Sequence, residues 1–222
     1  NGNKLETEVF YKKIKNRLDY IPGADLVANS AVERVLLAGK ARAYGLEFLF
    51  KKNEGRHNYW LGYTISKSEQ KTSGRNSIET GINKGNWYKT GYDKTHDFSF
   101  VSNFKLNDKL TFNTNFIFQT GQPINYPTGQ YTYMDLIIPN YGKRNSNRLP
   151  NYHRLDISLT LIPAKNKKRI FKSEWVFGFY NIYDRDNANS ISFKQNDKTQ
   201  KNEAIQLSIF GIVPSITYNF KF

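Results

Sequence analysis

The chain has 222 residues, with 33 Lys plus Arg against 19 Asp plus Glu, a formal net charge of +14 and no cysteine. A mean hydropathy of -0.67 and the lack of any apolar run of about 18 residues exclude a helical membrane protein. The missing cysteines exclude a disulfide framework and a thiolate metal centre, and the dispersed positive charge, with no nucleic-acid motif beside it, reads as basic loops and turns rather than a nucleic-acid site.

Period-2 alternation recurs about eight times, and helical periodicity is nearly absent. The first predicted strand covers residues 4–14, with Leu5, Thr7, Val9 and Tyr11 on one face. The second, 41–52, sets Tyr44, Leu46, Phe48 and Phe50 against Gly45 and Glu47. In the third, 57–68, Tyr59, Leu61, Tyr63 and Ile65 alternate with Trp60, Gly62, Thr64 and Ser66. The fourth, 95–106, places Phe98, Phe100, Phe104 and Leu106 together, and the fifth, 109–120, does the same with Leu110, Phe112, Phe116 and Phe118. The sixth, 152–162, opposes Leu155, Ile157, Leu159 and Leu161 to Arg154, Asp156, Ser158 and Thr160. The seventh, 172–183, carries Trp175, Phe177 and Phe179. In the last, Ile216, Tyr218, Phe220 and Phe222 face away from Ser215, Thr217, Asn219 and Lys221, and Pro214 predicts a bulge or kink because it donates nothing to a ladder.

The links between these strands alternate in length. Asn53-Glu54-Gly55, Asn107-Asp108 and Pro163 to Arg169 are short, whereas the others are long and polar, the longest running from Gly121 to Asn151. Lys165, Lys167, Lys168, Arg169 and Lys172 make the one tight basic cluster, in a turn. Aromatic residues at 15%, outward alternation and this loop asymmetry predict an all-β fold, a transmembrane antiparallel β-barrel. On that reading the aromatic face meets outer-membrane lipid, the short turns are periplasmic and the long loops extracellular. Glu47, Asp97, Lys105, Arg154 and Asp156 then point into the lumen as a hydrogen-bonding and ion-pairing network.

Several short motifs extend the pattern: Ala43-Tyr44-Gly45-Leu46-Glu47, Tyr63-Thr64-Ile65-Ser66, Asp93-Lys94-Thr95-His96-Asp97, Thr120-Gly121-Gln122-Pro123, Arg148 to Asp156, Tyr180-Asn181-Ile182-Tyr183-Asp184-Arg185, and the terminal aromatic strand. In order and spacing they resemble the C-terminal barrel segment of TonB-dependent outer-membrane receptors of the Bacteroidetes type. The resemblance implies that residues 1–222 are the last eight or so strands of a single barrel domain of about 22 strands, without its plug and N-terminal strands. It implies energised uptake across the Gram-negative outer membrane, with this segment forming barrel wall and ligand-gating loops. The implied partners are the rest of the barrel and its plug, TonB through the missing N-terminal region, the barrel-assembly machinery reading Ile216, Tyr218, Phe220 and Phe222, and a surface lipoprotein. Two alternatives stand beside it: a stand-alone small outer-membrane barrel serving as adhesin, structural protein or enzyme, and a receptor-fold subunit of another outer-membrane complex.

No nucleophile–base pair, phosphate loop or dinucleotide fingerprint is present, so no enzyme activity, catalytic residue or cofactor is expected. His57, His96 and His153 lack metal-ligand spacing and cysteine support, so no metal site is expected either. Candidate ligand contacts are Gln122, Asn125, Tyr126, Tyr131, Tyr133 and Tyr141 of the longest loop, because amide and phenol side chains on a loop can hydrogen-bond and stack on a small molecule.

Overall fold

A computed structural model describes residues 2–27, 29–134, 136–163, 172–196, 198 and 202–221. In chain order the strands are β1 (Asn3–Tyr20), β2 (Leu36–Lys52), β3 (His57–Lys71), β4 (Tyr88–Lys89), β5 (His96–Lys105), β6 (Leu110–Gln119), β7 (Pro123–Ile124), β8 (Pro127–Tyr133), β9 (Leu136–Tyr141), β10 (Asn147–Arg148), β11 (Tyr152–Leu161), β12 (Lys172–Tyr180), β13 (Ala188–Gln195), β14 (Asn202–Ser208) and β15 (Val213–Lys221). Two short 3-10 turns, Val32–Arg34 and Ile82–Gly85, punctuate the long connections.

One antiparallel sheet dominates, in the order β1-β2-β3-β5-β6-β11-β12-β15, with β4 added beside β3. Three two-stranded ribbons, β7 with β10, β8 with β9 and β13 with β14, lie within the long connections. Two tight turns follow local chemistry. Gly55 takes φ 86 between β2 and β3, a left-handed conformation that suits glycine. Between β5 and β6 the Asn107 carboxamide accepts from the Lys109 and Leu110 amides at 2.9 and 3.0 Å.

Register fixes the two faces. Leu5, Phe50, Leu61, Phe100, Phe116 and Leu155 stand opposite one another in turn, an apolar row crossing six strands. The row Glu8, Glu47, Thr64, Asp97, Gln119 and Tyr152 crosses the same strands on the polar face. Rings meet along the apolar face, as in Phe98–Phe116 at 6.0 Å and Trp175–Tyr218 at 4.6 Å, which is the cross-strand pairing that stabilises sheets. Yet Leu5 is 67% exposed, Val9 75% and Ile216 70%. The buried apolar cluster is small and lies at the loop end: Leu37, Ile82 and Tyr88, with Ile21 packed against them.

The expected transmembrane β-barrel is corrected by this topology. The sheet is open: among the described residues β1 pairs with β2 alone, β15 with β12 alone, and the two outer strands do not meet. Period-2 alternation gives any antiparallel sheet one apolar and one polar face. Closure depends on pairing between the outer strands, which alternation does not encode. With no closed wall among the described residues, the reading as a transporter segment, the stand-alone barrel and the receptor-fold subunit all lose their basis. So do outer-membrane location and the partnerships with lipid, the rest of a barrel and its plug, TonB, the assembly machinery and a lipoprotein. Ile216, Tyr218 and Phe220 are ordinary edge-strand residues opposite Phe177, Trp175 and Ser173. Phe222, and the basic residues Lys165, Lys167, Lys168 and Arg169, lie outside the described residues.

No bulge falls at Pro214. Pairing runs unbroken from Val213 to Lys221, because an edge strand leaves alternate N–H groups unpaired and tolerates proline. The break in register instead falls in β1, between Lys15 and Arg17, where Asn16 adopts φ 55.

Candidate functional site: a polar pocket at the loop end

The β6–β11 connection, residues 120–151, is pinned down by two arginines. Arg148 donates to the backbone oxygens of Asp93 (3.0 Å) and Gly121 (2.7 Å) and to the Thr95 hydroxyl (3.1 Å), and it ion-pairs with the Asp93 carboxylate. Asp93 is 1% exposed and also accepts from the Ser68 amide at 2.6 Å. Arg144 reaches β1, with its guanidinium 2.5 Å from Asp19 and 4.1 Å from the Tyr20 ring centroid. Asp19 in turn accepts from the Tyr88 hydroxyl (2.5 Å) and the Gln70 amide (2.6 Å). Burial, and then the bond to Asp19, push the Tyr88 phenol up to about 12.

A second buried network anchors the β12–β15 connection. Asn181 is fully buried at φ 53. Its amide donates to Asp156 at 2.9 Å, and its side chain donates to the Arg185 and Phe210 carbonyls at 3.0 and 3.4 Å. Asp156 is paired with Arg154 at 2.9 Å. Arg154 donates to the Tyr152 and Tyr180 hydroxyls at 2.9 and 2.7 Å, and it lies 4.0 Å from the Tyr180 ring centroid. Burial, followed by the bond to Tyr180, raises the Tyr152 pKa above its ordinary value. The Arg154 and Asp156 charges partner each other, so this pair holds geometry rather than offering a reactive group.

Between the two anchored connections lies a cavity of about 290 Å³. Its polar wall includes Lys94, Gln119, Gln122, Tyr152, Tyr180 and Asn187, and Leu149, Ile209 and Phe210 add apolar surface. Gly121 sits on its rim because a Cβ there would fall on the Leu149 carbonyl. Lys94 donates to the Gln119 side-chain oxygen at 2.7 Å, while the nitrogen of the same amide donates to Asp97 at 2.9 Å.

The six candidate contacts of the longest loop separate. Gln122 lines the cavity. The Asn125 side chain is taken up by the Asn145 amide at 2.6 Å. Tyr126 packs edge-on to Phe193 with centroids 5.3 Å apart and donates to the Arg148 carbonyl at 3.3 Å. Tyr131, Tyr133 and Tyr141 stand exposed on the β8–β9 ribbon. Among the polar-face residues, Glu47 and Asp97 share a row, Arg154 and Asp156 form the wall network, and Lys105 stands opposite Thr111 at the turn end. The histidines each meet a hydroxyl at 2.8 Å: His57 with Ser102, His96 with Tyr63 and His153 with Tyr183. Among the described residues no group of three or more His, Asp or Glu has the geometry for a metal.

Sequence reasoning did not nominate Lys94, Tyr152, Tyr180, Asn187 or Phe210 as contacts. The first three lie inside the short motifs already quoted, Tyr152 and Tyr180 at strand ends and Lys94 just before β5, so a signal existed. Asn187 and Phe210 have none, since only the fold of their connection brings them to the cavity.

No protein-family model matches the sequence, and no curated protein matches it. The resemblance to TonB-dependent receptors is corrected accordingly. Local chemistry accounts for its motifs: a glycine where the chain meets Leu149, an asparagine in the left-handed region, an Asp–Arg pair closing a loop. Any antiparallel sheet with long connections meets these needs.

Proposed function

We propose that the chain is a non-enzymatic binding module that holds a small polar molecule in the loop-end cavity. One observation carries this reading. The cavity walls are set by two buried hydrogen-bonded networks, so donors and acceptors are held in place before a ligand arrives, which lowers the ordering cost of binding. Its volume is at the low end of small-molecule sites, and amides and phenols beside a short apolar wall are the usual means of orienting a polar ligand. No carboxylate lines the cavity, and Asp156 behind Tyr152 and Tyr180 is engaged by Arg154 and Asn181, so no free carboxylate base is offered for proton transfer there.

The test is a thermal-shift and calorimetric screen of the purified chain against sugars, amino acids, short peptides, nucleosides and small organic acids. At least one class is expected to bind, and Gln122→Ala together with Asn187→Ala is expected to weaken it about ten-fold each. A screen in which no class binds, or in which both substitutions leave every hit unchanged, overturns the proposal.

A further inference from the structure

Resting on that cavity, we infer that its ligand carries a carboxylate received by Lys94, with the body of the molecule lying along Ile209 and Phe210. Two of the acids nearest the site are ion-paired, Asp93 with Arg148 and Asp156 with Arg154, whereas Asp97 has no ion pair among the described residues and is bridged to Lys94 only through the Gln119 amide. Lys94 has no ion-pair partner among the described residues, and the cavity lining contains no carboxylate. The Lys94 ammonium therefore stands at a concave surface without a direct counter-ion, Asp97 being held beyond the Gln119 amide.

The geometry of Lys94 is fixed as well. Asp97 accepts from the Gln119 nitrogen, so the Gln119 oxygen must face Lys94, where it lies 2.7 Å from Nζ. An ammonium has three donors, and only one is spent on Gln119. A single partly buried cation, flanked by amide and phenol donors, suits a monoanion. A phosphate dianion calls for several cations or a row of backbone N–H groups. Arg148 and Arg154 cannot supply the extra charge, since each is committed to an aspartate. The apolar side of the cavity, Ile209 and Phe210, both more than half exposed, offers a surface for a ring or short aliphatic chain.

The probe pair is phenylacetate and its neutral counterpart phenylacetamide, titrated calorimetrically into the purified chain at about 0.15 M salt, where long-range attraction to a +14 protein is largely screened. Phenylacetate is expected to bind about ten-fold tighter than the amide. That advantage is expected to vanish in Lys94→Gln and to persist in Lys94→Arg and in Lys15→Gln, a control on exposed β1. Circular dichroism of Lys94→Gln checks that the fold is intact. Equal binding of the two probes, or an advantage that survives Lys94→Gln, overturns the carboxylate inference and leaves the cavity reading standing. If neither probe binds while a neutral compound from the screen does, the inference likewise fails alone. If nothing binds at all, the cavity reading falls with it.

Discussion

The strand lattice and the loop end of this chain bury opposite kinds of residue. Along the lattice, apolar side chains such as Leu5, Val9 and Ile216 remain largely exposed on one face of an open sheet. At the loop end, the buried residues are mainly polar: Asp19, Gln70, Thr72, Thr90, Asp93 and Asn181. The lattice is held by backbone ladders and cross-strand side-chain pairs, each worth a few tenths of a kcal/mol to about 1 kcal/mol. The loop end is held by desolvated hydrogen bonds and ion pairs, where removing one partner strands the other. Tolerance to change should therefore be high on the face that looks like a core and low among the polar residues.

The sharpest way to break this comparison is at Asp93. Asp93→Asn leaves the Arg148 guanidinium without its counter-ion beside a carboxylate site that is 1% exposed, and it is expected to cost about 3–5 kcal/mol in urea denaturation. A loss below about 1 kcal/mol would mean that the loop end is not the rigid part. Next comes Gly121→Ala. The new methyl group would collide with the Leu149 carbonyl, so about 2–3 kcal/mol should be lost along with ligand binding. Gly91→Ala, where a Cβ meets open space, should be close to neutral.

A smaller effect belongs to Tyr88. Its phenol titrates at about 12 in the folded protein against an ordinary value near 10. Below pH 10 both folded and unfolded forms keep the proton, and the stabilisation is complete. Between pH 10 and about 12 the unfolded form loses its proton first, so stability falls as pH rises. Tyr88→Phe should cost about 1–2 kcal/mol at neutral pH and flatten this alkaline decline. Identical alkaline unfolding curves for the two proteins would remove Tyr88 from the network. The smallest effect is expected from Ile216→Thr on the exposed face of β15, within about 0.5 kcal/mol. A loss of several kcal/mol there would show that the apolar face is covered in solution and that the contrast between the two regions is false.

Much of the lattice is legible in the sequence, because side-chain direction in a strand has a period of two, and residues such as Leu155, Ile157 and Leu159 opposite Arg154, Asp156 and Ser158 declare their faces locally. The site is legible only in fragments. Gln122 stands out as an amide on a long polar loop, and Tyr152 and Arg154 fall inside a visible motif, but their meeting with Lys94 and Phe210 depends on contacts between residues far apart in the chain. The same limit explains the mistaken barrel. Alternating aromatics describe an amphipathic sheet equally well whether its outer strands pair or stay apart.

Alternation and turn chemistry in the sequence establish an antiparallel β-protein with one apolar and one polar face, short turns at one end, long connections at the other, and no apolar run long enough for a membrane-crossing helix. Long-range packing leaves the sheet open, buries Asp19 and Asp93 against Arg144 and Arg148, and brings the long connections together to line a cavity beside Lys94. The physical reason is range. Face and turn follow from neighbouring residues, whereas closure, the ion pairs that anchor the loop end and the cavity walls follow from residues far apart in the chain, 55 positions for Asp93 and Arg148 and 125 for Asp19 and Arg144.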